Sequence, residues 1–190
     1  FSLVVGGYLF YIAKTTNVAD LQNALKATTI IYDKDGNQAG SLTGQKGTYV
    51  ELDAISENLQ NAVVATEDRS FYKNSGINYG RFFLAILTAG RSGGGSTITQ
   101  QLAKNAYLSQ DQTIERKAKE FFLALEINKK YSKKEILTMY LNNAYFGNGI
   151  WGIEDASKKY FGVSASELNL DQSAVLAGML KGPEIYTPLY

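Results

Sequence analysis

The sequence predicts a mainly α-helical domain preceded by a short β-hairpin. After residue 56, apolar residues recur every three or four positions in several segments, which is the spacing of one helix face. Capping signatures at Ser132–Glu135 and Ser164–Glu167 mark the starts of two helices. The β-branched run Thr28–Tyr32, followed by the turn dipeptide Asp35-Gly36, predicts two strands joined by a tight turn.

The first 50 residues divide into an apolar segment and a polar connector. Residues 1–13 carry no charge, and a helix of this length reaches only about 20 Å, against the roughly 30 Å of a bilayer core. We interpret them as the end of a truncated transmembrane helix; a buried helix or the core of a signal peptide are the alternatives. Residues 14–50 are expected to form a connector and the small hairpin, with a further short strand at Thr48–Leu52.

Residues 51–190 are expected to form one helical domain. The predicted helices are Ser56–Asp68, Tyr79–Ala89, Thr97–Asn105, Thr113–Lys130, one opened by Ser132 and one that ends at Gly182-Pro183. The helix Tyr79–Ala89 is apolar on nearly all sides, so part of it is expected to be exposed and to enter the membrane surface; full burial in the core is the alternative. Residues 91–95 contain three glycines and are expected to be mobile without ligand.

The composition restricts the chemistry available to this chain. It contains no His and no Cys, so imidazole and thiolate catalysis are excluded and carboxylates must transfer protons in any enzyme. A net charge of +1 offers no bulk attraction for nucleic acid. A bound metal would be a hard divalent cation held by carboxylate and phosphate oxygens.

Glu67 ends an amphipathic helical segment. Leu59, Val63 and Glu67 recur at i, i+4 and i+8, so they share one face that is apolar for two turns and then ends in a carboxylate. Apolar surroundings favour proton uptake by a carboxylate, which a general base or acid needs near neutral pH. The alternative is a helix-terminal Glu that turns to solvent or pairs with Arg69.

A glycine-rich segment, residues 93–105, leads into a helix that carries polar side chains. Ser96 is expected to cap this helix, whose free N–H groups favour an anion. Hydroxyl, amide and ammonium groups follow at Ser96, Thr97, Gln100, Gln101 and Lys104. The segment could bind a sugar or a phosphate, or it could be only a capped flexible loop. It is not a Walker loop, because Gly-Lys-Ser/Thr is absent.

A second acidic residue, Glu120, lies four residues after Arg116 on one helix face. The pair could be an exposed ion pair worth about 0.3–0.5 kcal/mol. Alternatively, Arg116 and Lys117 could form a cationic cluster that holds a diphosphate, with Glu120 beside it as a second functional carboxylate after Glu67.

These segments stand in the order found in the peptidoglycan glycosyltransferases. The matching motifs are Glu67-Asp68-Arg69-x-Phe71 with Gly76, GGSTITQQLAKN at 94–105, Arg116-Lys117-x-x-Glu120, Ile136–Gly147 and Leu176–Pro183. Over about residues 50–188 the chain resembles the family 51 glycosyltransferase domain of class A penicillin-binding proteins and of the monofunctional transglycosylases.

The resemblance implies a lysozyme-like large lobe with a small membrane-proximal jaw lobe. It implies polymerisation of lipid II with inversion at the anomeric carbon and loss of undecaprenyl diphosphate. The implied location is the extracytoplasmic face of the cell membrane, behind a single-pass anchor. The implied partners are lipid II, the growing glycan strand, membrane lipid and moenomycin-type inhibitors. A lytic muramidase and a catalytically silent, membrane-anchored glycan-binding module are the alternatives.

The resemblance also assigns roles to individual residues. Glu67 would be the general base that deprotonates the carbon-4 hydroxyl of N-acetylglucosamine. Glu120 would act at the diphosphate, either by holding Mg²⁺ or Mn²⁺, which we favour, or by orienting Arg116. Contacts with substrate would come from Asp68, Arg69, Ser96, Thr97, Gln100, Gln101, Lys104, Arg116 and Lys117. Asn74 stands where the family often carries His, so that His cannot be essential here.

Overall fold

The computed structural model describes residues 7–8, 10–11, 14–26, 28–43, 47–80, 95–108 and 114–188. Within these ranges the fold is mainly helical, as predicted. The helices are α1 (Leu21–Lys26), α2 (Glu57–Glu67), α3 (Ile98–Tyr107), α4 (Ile114–Lys130), α5 (Lys133–Asn143), α6 (Ile153–Phe161) and α7 (Leu170–Met179). The strands are β1 (Thr28–Tyr32) and β2 (Gln38–Thr43), and 3₁₀ turns occur at Leu52–Ala54 and Ala165–Glu167.

Helix α5 lies at the centre of the core. The predicted capping box opens it, since the Ser132 hydroxyl accepts from the Glu135 N–H and the Glu135 side chain returns to the Ser132 backbone. Seven consecutive side chains, from Ile136 to Asn142, are then buried. A helix buried on all sides must be covered by neighbours, and α1, α3, α4 and α6 all contact it.

The packing of α2 and α3 places their polar ends together. Helix α2 packs on α7, while α3 lies against both α4 and α5. The backbone N–H of Ile98, at the start of α3, donates to the carboxylate of Asp68, immediately after α2. The carboxyl end of α2 therefore meets the amino end of α3, where free N–H groups point outward.

At the amino-terminal end, β1 and β2 form an antiparallel pair whose register shifts between Ile31 and Tyr32. The connecting turn is longer than the two-residue turn expected, because the Asp33 side chain accepts backbone N–H bonds from Asp35 and Asn37.

Earlier in the chain, the Phe10 ring packs edge-on against Phe122 of α4. No described helix combines the length and the apolar character needed to cross a membrane.

Two predicted elements differ from the structure, and one helix was missed. Thr48–Leu52 forms no strand, because the Asn142 side-chain amide bonds both the N–H and the C=O of Val50, at 2.8 Å each, and replaces a partner strand. The box at Ser164 opens a 3₁₀ turn rather than α7, which has its own box from Asn169 to Gln172. Helix α6 was not predicted.

Two further predictions cannot be compared with the structure. The membrane-entering helix Tyr79–Ala89 lies almost wholly outside the described residues, which stop at residue 80 and resume at residue 95. The mobility predicted for residues 91–95 concerns the same interval. Both remain predictions.

Candidate active site

Glu67 is the last residue of α2. Leu59 and Val63 are fully buried, so the face that they share with Glu67 points into the protein, as their spacing predicts. Glu67 Oε2 accepts a 2.8 Å hydrogen bond from Gln101 Nε2. Glu67 Oε1 is buried and has no hydrogen-bond partner among the residues that the structure describes. An oxygen in this state is available to accept a proton from a bound hydroxyl group.

The Glu67 carboxylate lines a cleft of about 450 Å³. Its other walls are Thr66, Ser96, Gln101, Lys104, Leu180 and Lys181. A neighbouring cleft, also about 450 Å³, shares Gln101, Lys104 and Leu180 with the first and is lined further along by the adjacent rings of Tyr145 and Trp151. Each cleft has the volume of a typical ligand site, and together they form a groove suited to an extended ligand.

Glu120 is a buried carboxylate, 1% exposed, and not part of an exposed ion pair. Its Oε2 accepts from Arg116 Nη1 at 2.7 Å and its Oε1 from Lys117 Nζ at 2.6 Å. Lys117 Nζ also lies 2.6 Å from Ser96 Oγ, on the wall of the Glu67 cleft. Glu120 therefore holds two cations, and Ser96 connects one of them, Lys117, to the cleft.

Lys104 is the third cation of this group, and it faces the cleft directly. Desolvation by burial lowers the pKa of Lys104. The carboxylate of Glu120 opposes this shift, whereas the charges of Arg116 and Lys117 add to it. We call Lys104, Arg116 and Lys117 the cation cluster. One carboxylate cannot neutralise three cations, so the cluster favours an anionic ligand.

The residues around Glu120 do not form a donor set for a divalent cation. Both oxygens of the carboxylate already accept from cationic side chains, which an ion would have to displace. Among the described residues, no three His, Cys, Asp or Glu side chains cluster in a way that could hold a metal. The geometry agrees with the alternative in which Glu120 orients Arg116. The requirement for Mg²⁺ or Mn²⁺ remains a prediction.

Asp68 was expected to contact substrate, but its side chain is buried, with 2% exposed. Its carboxylate accepts from Ser70 Oγ, Asn74 Nδ2 and the backbone N–H of Ile98. Asn74, at the position of the family His, also accepts a 3.1 Å hydrogen bond from Lys133 Nζ. This Asp68 network ties the end of α2 to the start of α3. Asp68 is not among the residues that line either cleft, and its contact with substrate remains a prediction.

Replacing Asp68 with Ala is expected to lower the free energy of unfolding by about 2–4 kcal/mol, because several buried donors lose their acceptor at once. Urea unfolding followed by circular dichroism measures the change. Asp53 is exposed, so Asp53→Ala is the control and should change stability by less than about 0.5 kcal/mol. Equal stability of the two variants would contradict this account of the network.

Thr97, and not Ser96, caps α3. Thr97 Oγ1 accepts from the Gln100 N–H at 3.1 Å, and Gln100 Oε1 accepts from the Thr97 N–H at 3.0 Å. The Thr97 hydroxyl also donates to the carbonyl of Gly76 at 2.6 Å. Thr97 and Gln100 are both buried, so the structure places these two predicted substrate contacts in the capping box. Ser96 is left to face the cleft and bind Lys117.

Arg69 lies at the end of α2 but does not line either cleft. It is exposed, and its Nε donates to the carbonyl of Ala65 at 3.1 Å. This bond reaches back to a carbonyl four residues earlier. Glu67 bonds Gln101, so the pair with Arg69 that the sequence left open is not observed between these two described residues.

Sequence reasoning gave no role in the site to the motifs at Ile136–Gly147 and Leu176–Pro183. The structure brings Tyr140 from the first motif and Lys181 from the second to the groove. Lys181 could have been selected from the sequence, because it is the first charged residue after an apolar run that ends at Gly182-Pro183. Tyr140 carried none, because its spacing is that of any core residue of α5.

Comparison with known proteins identifies related sequences. Residues 35–190 match the family described as Transglycosylase. Penicillin-binding protein 2a of Streptococcus pneumoniae strain R6 is 81% identical over 187 residues, which are 98% of this chain and 26% of that protein. Penicillin-binding protein 1A of Aquifex aeolicus is 45% identical over 164 residues, covering 84% of this chain and 23% of that protein.

A further relative is penicillin-binding protein 1A/1B of Bacillus subtilis. It is 39% identical over 194 residues, covering 98% of this chain and 21% of that protein. The chain thus spans about a quarter of the length of the curated relatives it matches.

Proposed function

Because the chain belongs to the transglycosylase family, we propose that it is a peptidoglycan glycosyltransferase that joins lipid II units into a β-1,4-linked glycan strand. The bond forms with inversion at the donor anomeric carbon, and undecaprenyl diphosphate leaves. One observation carries the proposal: a single cleft is lined both by Glu67, whose Oε1 has no hydrogen-bond partner among the described residues, and by Lys104 of the cation cluster.

Glu67 acts on the acceptor side of the reaction. Its free Oε1 takes the proton of the acceptor carbon-4 hydroxyl while that oxygen attacks the donor anomeric carbon. The electron pair of the old bond leaves with the diphosphate oxygen. The hydrogen bond from Gln101 to Oε2 fixes the carboxylate and leaves Oε1 for the proton.

The cation cluster acts on the leaving group. Negative charge grows on the diphosphate oxygen as its bond to carbon breaks, and fixed cations stabilise that charge with little reorganisation. Lys104 lies in the cleft wall, and Ser96 holds Lys117 at the same wall. Glu120 orients Arg116 and Lys117 from the buried side.

We also propose the finer features that the resemblance to the family implies. These are a lysozyme-like lobe with a membrane-proximal jaw, an amino-terminal membrane anchor, action at the outer face of the cell membrane and inhibition by moenomycin-type phosphoglycolipids. The contact between Phe10 and Phe122 is consistent with an anchor that emerges beside α4. In this proposal membrane lipid surrounds the diphosphate tail while the sugars occupy the groove.

A lytic muramidase is the competing function. Its leaving group is a sugar hydroxyl, which needs a general acid and gains little from several cations. The cation cluster around Glu120 therefore favours a diphosphate leaving group. A silent binding module would need neither the free Glu67 oxygen nor the buried ion pairs.

Incubation with fluorescent lipid II, followed by gel electrophoresis, separates these functions. We expect a ladder of polymer that a muramidase added later degrades. Preformed glycan supplied without lipid II should remain intact. Cleavage of that glycan would support the muramidase, and unchanged lipid II would support the binding module.

The pH dependence of polymerisation is expected to report on Lys104. Because burial lowers the pKa of Lys104, its positive charge is lost at a lower pH than that of an exposed lysine. On the alkaline side of the pH profile, kcat/KM should therefore begin to decline at a lower pH than the titration of an exposed lysine would produce. Lys104→Arg keeps the charge at every pH used, so its alkaline limb should move to higher pH.

Lys117→Arg is the matched control, because Lys117 belongs to the same cluster and its side chain is 41% exposed. We expect that substitution to leave the alkaline limb in place. If the alkaline decline of kcat/KM stays at the same pH in Lys104→Arg, a group other than Lys104 causes that decline.

A further inference from the structure

A chain of hydrogen bonds leads from the helical core to Glu67. The Tyr140 hydroxyl donates to Gln101 Oε1 at 3.2 Å, and Gln101 Nε2 donates to Glu67 Oε2 at 2.8 Å. Tyr140 belongs to α5 and is only 1% exposed. The chain therefore joins a helix of the core, α5, to the Glu67 carboxylate in the wall of the cleft.

The direction of this chain follows from the chemistry of its members. A Gln amide can present either its oxygen or its NH₂ group to a neighbour. Facing an ionised carboxylate, the NH₂ group is attracted and the oxygen repelled. A phenol donor on the other side of Gln101 holds the amide in the attractive orientation. Burial raises the pKa of Tyr140, and the charge of Glu67 adds to the shift, so this phenol keeps its proton.

The Gln101 amide has few other constraints in the described structure. It lies between the two clefts, where a bound ligand would compete for its oxygen and NH₂ groups. The buried Tyr140 hydroxyl lies on the protein side of the amide, and α5 holds it within the core. It can thus fix the amide whether or not the groove is filled.

We propose that Tyr140 is a positioning residue for the general base, acting through the Gln101 amide to keep Glu67 Oε1 free and directed at the acceptor hydroxyl. This inference rests on the proposed function. It also gives Gln101 a second task beside the substrate contact that the sequence suggested. Tyr140 itself need not touch the substrate.

The first test is Tyr140→Phe, which keeps the ring and its packing and removes the hydroxyl. We expect kcat for lipid II polymerisation to fall about fivefold to tenfold, the effect of losing one hydrogen bond. KM should not change, because the lost interaction orients the base and does not bind substrate. A raised KM with unchanged kcat, or no change in either, would overturn the proposal.

Tyr131→Phe is the matched control for a purely structural effect. Tyr131 is also buried; its hydroxyl lies within donating distance of the carbonyls of Val18 and Ala19 and accepts from the Gln22 N–H. Tyr131 is not among the described residues that line either cleft. This variant should lose stability comparable to that of Tyr140→Phe and keep the wild-type kcat. An equal loss of kcat in both variants would overturn the positioning role.

The second test is a double-mutant cycle between Tyr140 and Gln101. Gln101→Met retains the length of the side chain and removes both hydrogen bonds. If Tyr140 acts only through Gln101, adding Tyr140→Phe to Gln101→Met should not lower kcat further. Independent, multiplicative losses would overturn the proposal.

Glu67→Gln, measured in the same assay, distinguishes failure of the proposed general base from failure of the positioning role of Tyr140. If it polymerises lipid II at the wild-type rate, both the proposed base and the positioning role are overturned. If it is inactive while Tyr140→Phe behaves as wild type, only the positioning role is overturned.

Discussion

Glu67→Gln is expected to lower the rate of lipid II polymerisation about 10²–10⁴-fold, which is the range for loss of a general base. Gln has the shape of Glu and can still accept the hydrogen bond from Gln101, but it cannot take up the proton of the acceptor hydroxyl. The loss should appear in kcat at saturating lipid II, while binding of substrate is retained. Initial rates from fluorescent lipid II measure it.

Glu57→Gln is the matched control, since Glu57 begins the same helix and is exposed. That variant should polymerise lipid II at the wild-type rate. A Glu67→Gln protein with near wild-type kcat would remove the general-base role and leave the cleft without a proton acceptor.

Glu120→Gln is expected to lower kcat roughly 10²-fold, the effect of losing one preorganised electrostatic contact in an active site. The neutral amide cannot hold Arg116 and Lys117 together, so both cations are expected to leave the positions in which Glu120 holds them. Thermal unfolding must be measured as well, because Glu120 is buried and its removal also weakens the fold.

Glu115→Gln provides the control on the same helix. Glu115 pairs with Lys119 at 2.7 Å with the same four-residue spacing, but its side chain is 59% exposed. Breaking that pair should change stability by less than about 0.5 kcal/mol and leave kcat unchanged.

The metal response of Glu120→Gln decides between its two proposed roles. Polymerisation is measured against magnesium and manganese concentration for the wild type and the variant, at saturating lipid II. The observed ion pairs favour a residual activity that keeps the wild-type response. Loss of the response would establish the metal-holding role that the sequence led us to favour.

The face of α2 illustrates what local spacing can predict. Leu59 and Val63 are buried, and Glu67 follows them to the edge of the cleft, as a period of 3.6 residues requires. The box at Ser132 likewise opens α5. These features depend on neighbours in the sequence, so they can be inferred without knowing the fold.

The missed helix α6 had comparable local signals. Glu154 and Asp155 lie in its first turn, Lys158 and Lys159 lie in its last, and Gly162 ends it with φ 71°. Acidic starts, basic ends and a left-handed glycine cap are the usual marks of a helix.

The direction in which Asp68 and Glu120 point could not be predicted from local spacing. Arg116 and Glu120 have the same separation as the exposed pair Glu115 and Lys119, yet only Glu120 is buried. Burial depends on which elements pack over a helix face, and those contacts are remote in sequence. Asp68 similarly turns inward because the start of α3 presents an N–H to it.

The most direct test of the account compares undecaprenyl diphosphate released with glycosidic bonds formed from lipid II. For the wild type we predict equal amounts throughout the reaction, and for Glu67→Gln we predict a parallel loss of both. Glycosidic bonds broken without release of the diphosphate lipid, or release by Glu67→Gln at the wild-type rate, would contradict the account.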